Sequence, residues 1–415
     1  MQDLVSAPST THPIITAATA CRLRALGMAA LAFSLLAGCA GHHPLPQVDR
    51  ERVKQVSERG YLTDDRFDVA TMSANWRTGA HDFDITWTLP VSGRNLPLIV
   101  YMPGLGEASS AGETWRKAWA QAGYAVLAVQ PLAEDRKAWS SDAARQGDFA
   151  VIAKERYTAA AVTARLQALA TLLAEVRTRS AAGDPQAVRL DTTRIALAGF
   201  DIGAYTSMLA GGELPPGDAA PIRQPLPIAA VIALSPYADF SGRPFAERYR
   251  SISGPVLSVS GDEDADAIGV ATSPTVRKVP FETMPSRDAY LLWLANATHT
   301  TISGSAVGAG ETSAGGNNAA APDDEDRGSR QGGSHHGRRG ADNGDGGSDS
   351  AQHAETGGMR NAAESPTAGA ISATLIEGVT TAFLDAYMKH DPVAREWLHK
   401  DAVRWLADRG ELRWK

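Results

Sequence analysis

The stretch RIALAGFDIGAYTSMLAGG, Arg194 to Gly212, decides the fold. It opens as an apolar strand, passes through a tight turn with glycine on both sides of one residue, and continues as a helix. This is a nucleophile-elbow layout, G-x-S-x-G, in which a sharp strand-to-helix turn pushes its central side chain out above a sheet. Here the central residue is Asp201. Gly199 and Gly203 flank it because a turn packed between strand and helix leaves no room for side chains. A carboxylate at the start of a helix is also favoured by the helix dipole, so an aspartate that merely caps the helix is the plainer alternative.

Outward from the elbow the same alternation repeats. LPLIVYMP (Leu96–Pro103), YAVLAVQP (Tyr124–Pro131), IAAVIALSP (Ile228–Pro236), PVLSVSG (Pro255–Gly261) and AYLLWLA (Ala289–Ala295) are continuously apolar runs bounded by turn residues. Such runs fit strands buried on both faces of a parallel sheet. HDFDITWTL (His81–Leu89) alternates as a half-exposed strand does. Helical spacing is found in ETWRKAWAQAG (Glu113–Gly123), in an alanine- and leucine-rich segment from Glu155 to Ala181, in Ser372–His390, and again after Pro392. The expected fold is therefore α/β, a mostly parallel sheet with helices on both faces. Ligands of such sheets sit at the carboxyl ends of the strands.

Four turns at those ends carry chemistry. PGLGEASS (Pro103–Ser110) is glycine-rich, and Leu105 or Gly106 is a candidate to donate one backbone N–H to an oxyanion, with Ile202 after the elbow donating the other. In SVSGDEDAD (Ser258–Asp266), Asp264 is the candidate acid, with Asp262 and Asp266 as competitors. In LANATHTTISG (Leu294–Gly304), His299 is the candidate base. The chain order elbow, acid, histidine is that of the α/β-hydrolases.

With these residues in view the chain resembles the α/β-hydrolase superfamily. More narrowly it is similar to dienelactone hydrolase and platelet-activating-factor acetylhydrolase relatives, bacterial lipoproteins among them. PLIVYMPGLGE, RIALAGFDIGAYTSMLAGGE, AVIALSPYADF, PVLSVSGDED and DAYLLWLANATH carry the likeness, from about Phe83 to Gly304. The resemblance implies hydrolysis of a small ester, lactone or related substrate, with Asp201, His299 and Asp264 as the catalytic set. It departs from those relatives at the centre, where they have serine or cysteine. Elbow aspartates occur in haloalkane dehalogenases and epoxide hydrolases of the superfamily, where the carboxylate attacks an alkyl carbon and histidine-activated water resolves the ester. Those enzymes carry a cap after the strand Ile228–Pro236, and here only Tyr237–Gly254 is available, so a minimal cap is expected. Tyr237 and Tyr249 are the candidates for tyrosines above the site. The alternative reading is a catalytically silent scaffold that binds a ligand.

The chain has 415 residues, 43% hydrophobic, with a net charge of −7 and no basic stripe, which argues against nucleic acid as a partner. Its two cysteines, Cys21 and Cys39, lie near the start. CRLRALGMAALAFSLLAGCAG places arginines before a short apolar run, below the ~18 residues that span a bilayer, and closes with small residues, as a secretory signal does. The ending LAGC resembles a bacterial lipobox. The resemblance implies a signal peptide over 1–39, a lipid on Cys39 and an outer-membrane address facing the periplasm. A tether over 40–80 with a short helix is expected next, then a hydrolase domain over 81–302. Residues 303–368 have almost no large apolar side chain and read as a disordered low-complexity insert. Residues 369–415 read as helices completing the domain. Nothing in the sequence calls for a cofactor, and the candidate residues require no metal.

Overall fold

In the computed structural model, the described residues are 45–63, 66–215, 226–238, 243–265, 273–285, 288–305 and 365–415. Cys39, the expected signal peptide, Asp266 and nearly all of the expected insert lie outside them. In chain order the strands are β1 (Val69–Thr78), β2 (His81–Pro90), β3 (Leu96–Met102), β4 (Ala125–Val129), β5 (Leu190–Phe200), β6 (Ala230–Leu234), β7 (Val256–Glu263), β8 (Ala289–Thr298) and β9 (Gly410–Trp414). The helices are α1 (Gln47–Glu58), α2 (Glu113–Gln121), α3 (Ala133–Arg136), α4 (Asp142–Arg145), α5 (Phe149–Arg156), α6 (Ala159–Ala181), α7 (Ile202–Ala210), α8 (Phe245–Arg248), α9 (Val279–Thr283), α10 (His299–Ser303), α11 (Pro366–Met388), α12 (Pro392–Lys400) and α13 (Ala402–Leu406).

The strands form one nine-stranded sheet in the order β1-β2-β4-β3-β5-β6-β7-β8-β9. From β4 to β8 every pairing is parallel, while β2 runs antiparallel to both β1 and β4, and β9 antiparallel to β8. The apolar runs are the parallel strands because both their faces are covered. Ile99 and Tyr101 of β3 pack with α2 and α11 residues on one side, and Leu98, Val100 and Met102 with α6 residues on the other. α6 and α11 are each long and apolar enough to cross a membrane by length and composition, and both bury side chains against the sheet. All described elements belong to one compact unit within residues 42–415.

Three features differ from the sequence reading. Residues 69–78, expected within a tether, form the edge strand β1; its outer position leaves Trp76 as its one buried side chain, which erases the apolar signature. β9 likewise buries only Leu412. Between β4 and α6 the chain makes the short helices α3, α4 and α5, and residues of α4 and α5, with Ala138 and Trp139 before them, pack with Leu105 and Ile202. The cover of the elbow is therefore built before α6, not after β6, where the described residues hold only the one-turn α8.

Candidate functional site

The elbow forms as its glycines require. Asp201 takes φ 51° and ψ −114°, a backbone region that side-chain-bearing residues seldom enter. Such strain costs about 1–3 kcal/mol and persists only where the surroundings over-determine it. A Cβ on Gly203 would lie 1.9 Å from the Met102 carbonyl oxygen, and one on Gly199 would lie 2.2 Å from the backbone of Gly203. The Asp201 N–H is tied to Leu234 O at 3.0 Å, which anchors the turn to β6.

The Asp201 side chain is buried and held at both oxygens. Leu105 N–H donates to Oδ2 at 3.4 Å, and the Tyr157 hydroxyl donates to Oδ1 at 3.1 Å. Of the two candidate amides in the first loop, Leu105 therefore faces the elbow. Gly106 does not: its N–H donates to Asp135 O at 2.8 Å. Asp135 is itself fixed by a buried bidentate pair with Arg165, at 2.6 and 2.8 Å, so the cover is pinned to α6 and Gly106 is consumed in holding it. A Cβ on Gly106, at φ 80°, would strike the Trp139 ring, whose Nε1 donates to Leu105 O at 3.0 Å. Ile202 is buried at the first position of α7, where its N–H has no partner within the helix.

His299 stands at the end of β8 and opens α10. Its Nδ1 donates to Asp264 Oδ1 at 2.6 Å, which leaves Nε2 as the outward nitrogen, and the Phe200 ring packs against the imidazole at 4.6 Å. Among the described residues Nε2 has no hydrogen-bond partner, and His299 makes no direct bond to Asp201.

Asp264 is fully buried. It accepts from Ser235 Oγ at 2.8 Å and Ser260 Oγ at 2.7 Å, and the Arg277 guanidinium lies 3.3 Å from Oδ2. Burial alone would raise its pKa, but Arg277, the His299 hydrogen bond and Ser260 outweigh it and hold the carboxyl below its usual range. Asp262 is separate: it accepts from the backbone N–H of Asn296. Asp266 lies outside the described residues.

A further carboxylate stands beside the elbow. Glu107 accepts from Gly104 N–H at 2.8 Å and from Ser305 Oγ at 3.2 Å. Burial pushes its pKa up, the two hydrogen bonds oppose this, and the Asp201 charge adds to the rise. On the cover side, Tyr157, Tyr205 and Tyr237 form a mutual ring cluster with centroid separations of 4.7–5.7 Å. Tyr249, the other candidate for the site, packs instead among Phe281, Met284 and Ile252.

Tyr157 and Arg277 escaped the sequence reading. Neither stands in a strand-end turn, and a tyrosine before a helix or an arginine among TVRK carries no local signature. Among the described residues no cluster of histidine, cysteine, aspartate and glutamate could hold a metal ion. No family model matches the chain, and no curated protein matches it.

Proposed function

We propose that the chain is a hydrolase of the α/β-hydrolase type that opens a carbon–oxygen bond at a saturated, strained carbon, with an epoxide as the substrate class. A carboxylate that attacks an ordinary ester carbonyl makes an anhydride, an uphill step. At an alkyl carbon it makes an ordinary ester. Asp201 Oδ1 would attack the ring carbon as the ring C–O bond breaks, and the Tyr157 hydroxyl would pass its proton to the departing oxygen. His299 Nε2 would then take a proton from water, whose oxygen adds to Asp201 Cγ. The negative charge would develop on Oδ2, where Leu105 N–H already points, with Ile202 N–H as the second donor. Collapse expels the alkoxide, which takes the proton held on His299 Nε2, and the Asp201 carboxyl gives its remaining proton back to the Tyr157 phenolate, which frees the carboxylate. The sum is epoxide plus water to a vicinal diol.

The single observation that carries this reading is the Leu105 N–H aimed at Oδ2 of an aspartate held in the strained elbow. The same contact supports a second reading. With its amide already engaged by a side chain, the site could bind a ligand and turn nothing over. The narrower likeness to dienelactone hydrolases, and an envelope address through a lipid on Cys39, rest on sequence motifs and belong to the proposal.

The test is a single turnover in heavy-oxygen water with an aryl epoxide, alongside Asp201→Asn, His299→Ala and a panel of p-nitrophenyl esters. Label in the Asp201 carboxylate supports covalent attack. Turnover without it overturns that route, and no turnover by any form favours the silent scaffold.

A further inference from the structure

We propose that the protein has a second binding site, for a phosphate-bearing anion, in a cavity of about 590 Å³ between α1 and the C-terminal helices. Its walls include Arg52 and Gln55 of α1, Arg59 just after it, Trp397 of α12, Trp405 of α13, and Arg409. Positions 52, 55 and 59 recur at helical spacing, so α1 turns one face to the cavity. Among the described residues the side chains of Arg52, Arg59 and Arg409 make no hydrogen bond or ion pair. The lining carboxylate, Asp401, is engaged by Arg404 at 2.8 Å. Arg404 lines the cavity too, so that pair leaves three guanidinium groups in the lining without a carboxylate partner among the described residues, and their like charges repel one another. A bound anion would supply the missing charge, and guanidinium forks match the oxygens of phosphate in pairs.

Two further observations fit a built site. Trp405 is locked: Gly60 and Gly378 leave room for its ring, where a Cβ would lie 2.5 and 2.6 Å from it, and its Nε1 donates to Val56 O at 2.8 Å. Trp397 stands against it at 5.5 Å, giving a fixed apolar wall for the organic part of a ligand. Ala407, which also lines the cavity, takes φ 51° and ψ −124°, close to the strained backbone of Asp201. An alanine in this region is strained, and such outliers cluster at ligand sites. The turn at Ala407 leads directly into Arg409.

The phosphate has two candidate sources, a free phosphoester or diphosphate and a phospholipid headgroup. α1 begins soon after Cys39, the expected lipid site, so both are tested. The full chain is titrated calorimetrically with inorganic pyrophosphate. In parallel its tryptophan fluorescence is followed with vesicles of brominated phosphatidylglycerol or brominated phosphatidylcholine. Arg59→Ala/Arg409→Ala is compared with Lys54→Ala/Lys400→Ala, which removes equal charge from residues that do not line the cavity. Saturable pyrophosphate binding, weakened about tenfold or more by the arginine pair alone, supports a free ligand. Quenching by phosphatidylglycerol only, lost in the arginine pair alone, supports a headgroup. Binding of neither probe, or equal loss in both pairs, overturns the site.

Discussion

The Tyr157 hydroxyl donates to Asp201 Oδ1 at 3.1 Å, across 44 residues of chain, so the cover and the elbow meet at the atom proposed to attack. If the hydroxyl acts as acid to the departing oxygen, Tyr157→Phe removes proton transfer and leaves the packing of the ring. The expected result is a loss of about 10²-fold in kcat with the fold unchanged, read by steady-state rates and circular dichroism. A substrate whose leaving group needs no proton, such as an alkyl halide, should lose far less.

Asp264 gives a prediction for both rate and stability. Its carboxyl is held below the usual range, so folding favours its charged form. That stabilisation is fully present above the unfolded value of about 4 and is lost as pH falls through the lower folded value. Urea midpoints measured from pH 7 to pH 3 should therefore fall at the acid end in the wild type. Asp264→Asn should lose that component of the acid dependence. It should also be less stable at neutral pH by about 3–5 kcal/mol, because the buried Arg277 loses the Asp264 charge it lies against. Turnover should collapse with it, since His299 Nδ1 loses its charged acceptor.

What the sequence made legible, and what it did not, follows from where the information resides. The parallel strands were readable because both faces of β3, β4 and β6 are buried and every residue must be apolar. The elbow was readable because steric crowding at Gly199 and Gly203 admits one residue type. The pair Asp264–His299 was readable through chain order at strand ends, although only geometry separates Asp264 from Asp262. β1 was hidden because an edge strand facing solvent keeps no apolar pattern. Tyr157, Arg277 and the short cover helices were hidden because their partners are distant in sequence. The same holds for the choice between Leu105 and Gly106, which depends on Asp135 reaching across from the cover.

Glu107 titrates in the opposite sense to Asp264. Its pKa is raised, so the fold disfavours its charge. Relative to the unfolded chain it stabilises below the unfolded value of about 4.3, and this is lost as pH rises through the higher folded value. Glu107→Gln keeps the shape and stays neutral. It should thus be more stable than the wild type at neutral and alkaline pH, with the advantage disappearing below about pH 4. Thermal melts from pH 4 to pH 9 read the crossover; a constant difference across that range would show that the Glu107 charge plays no part.

The strain at the elbow predicts a trade of stability against function. At φ 51° and ψ −114° glycine is free of the clash that aspartate suffers. Asp201→Gly also removes a buried carboxylate, at the loss of its bonds from Leu105 and Tyr157. Relief of about 1–3 kcal/mol of strain should exceed those losses, so Asp201→Gly should melt higher than the wild type and show no turnover. Gly203→Ala is the converse. Its Cβ would sit 1.9 Å from Met102 O, a backbone atom that cannot yield without moving β3. It should melt well below the wild type or fail to fold. An Asp201→Gly protein that melts lower would mean the elbow is held by its side-chain bonds and not by the packing of its glycines.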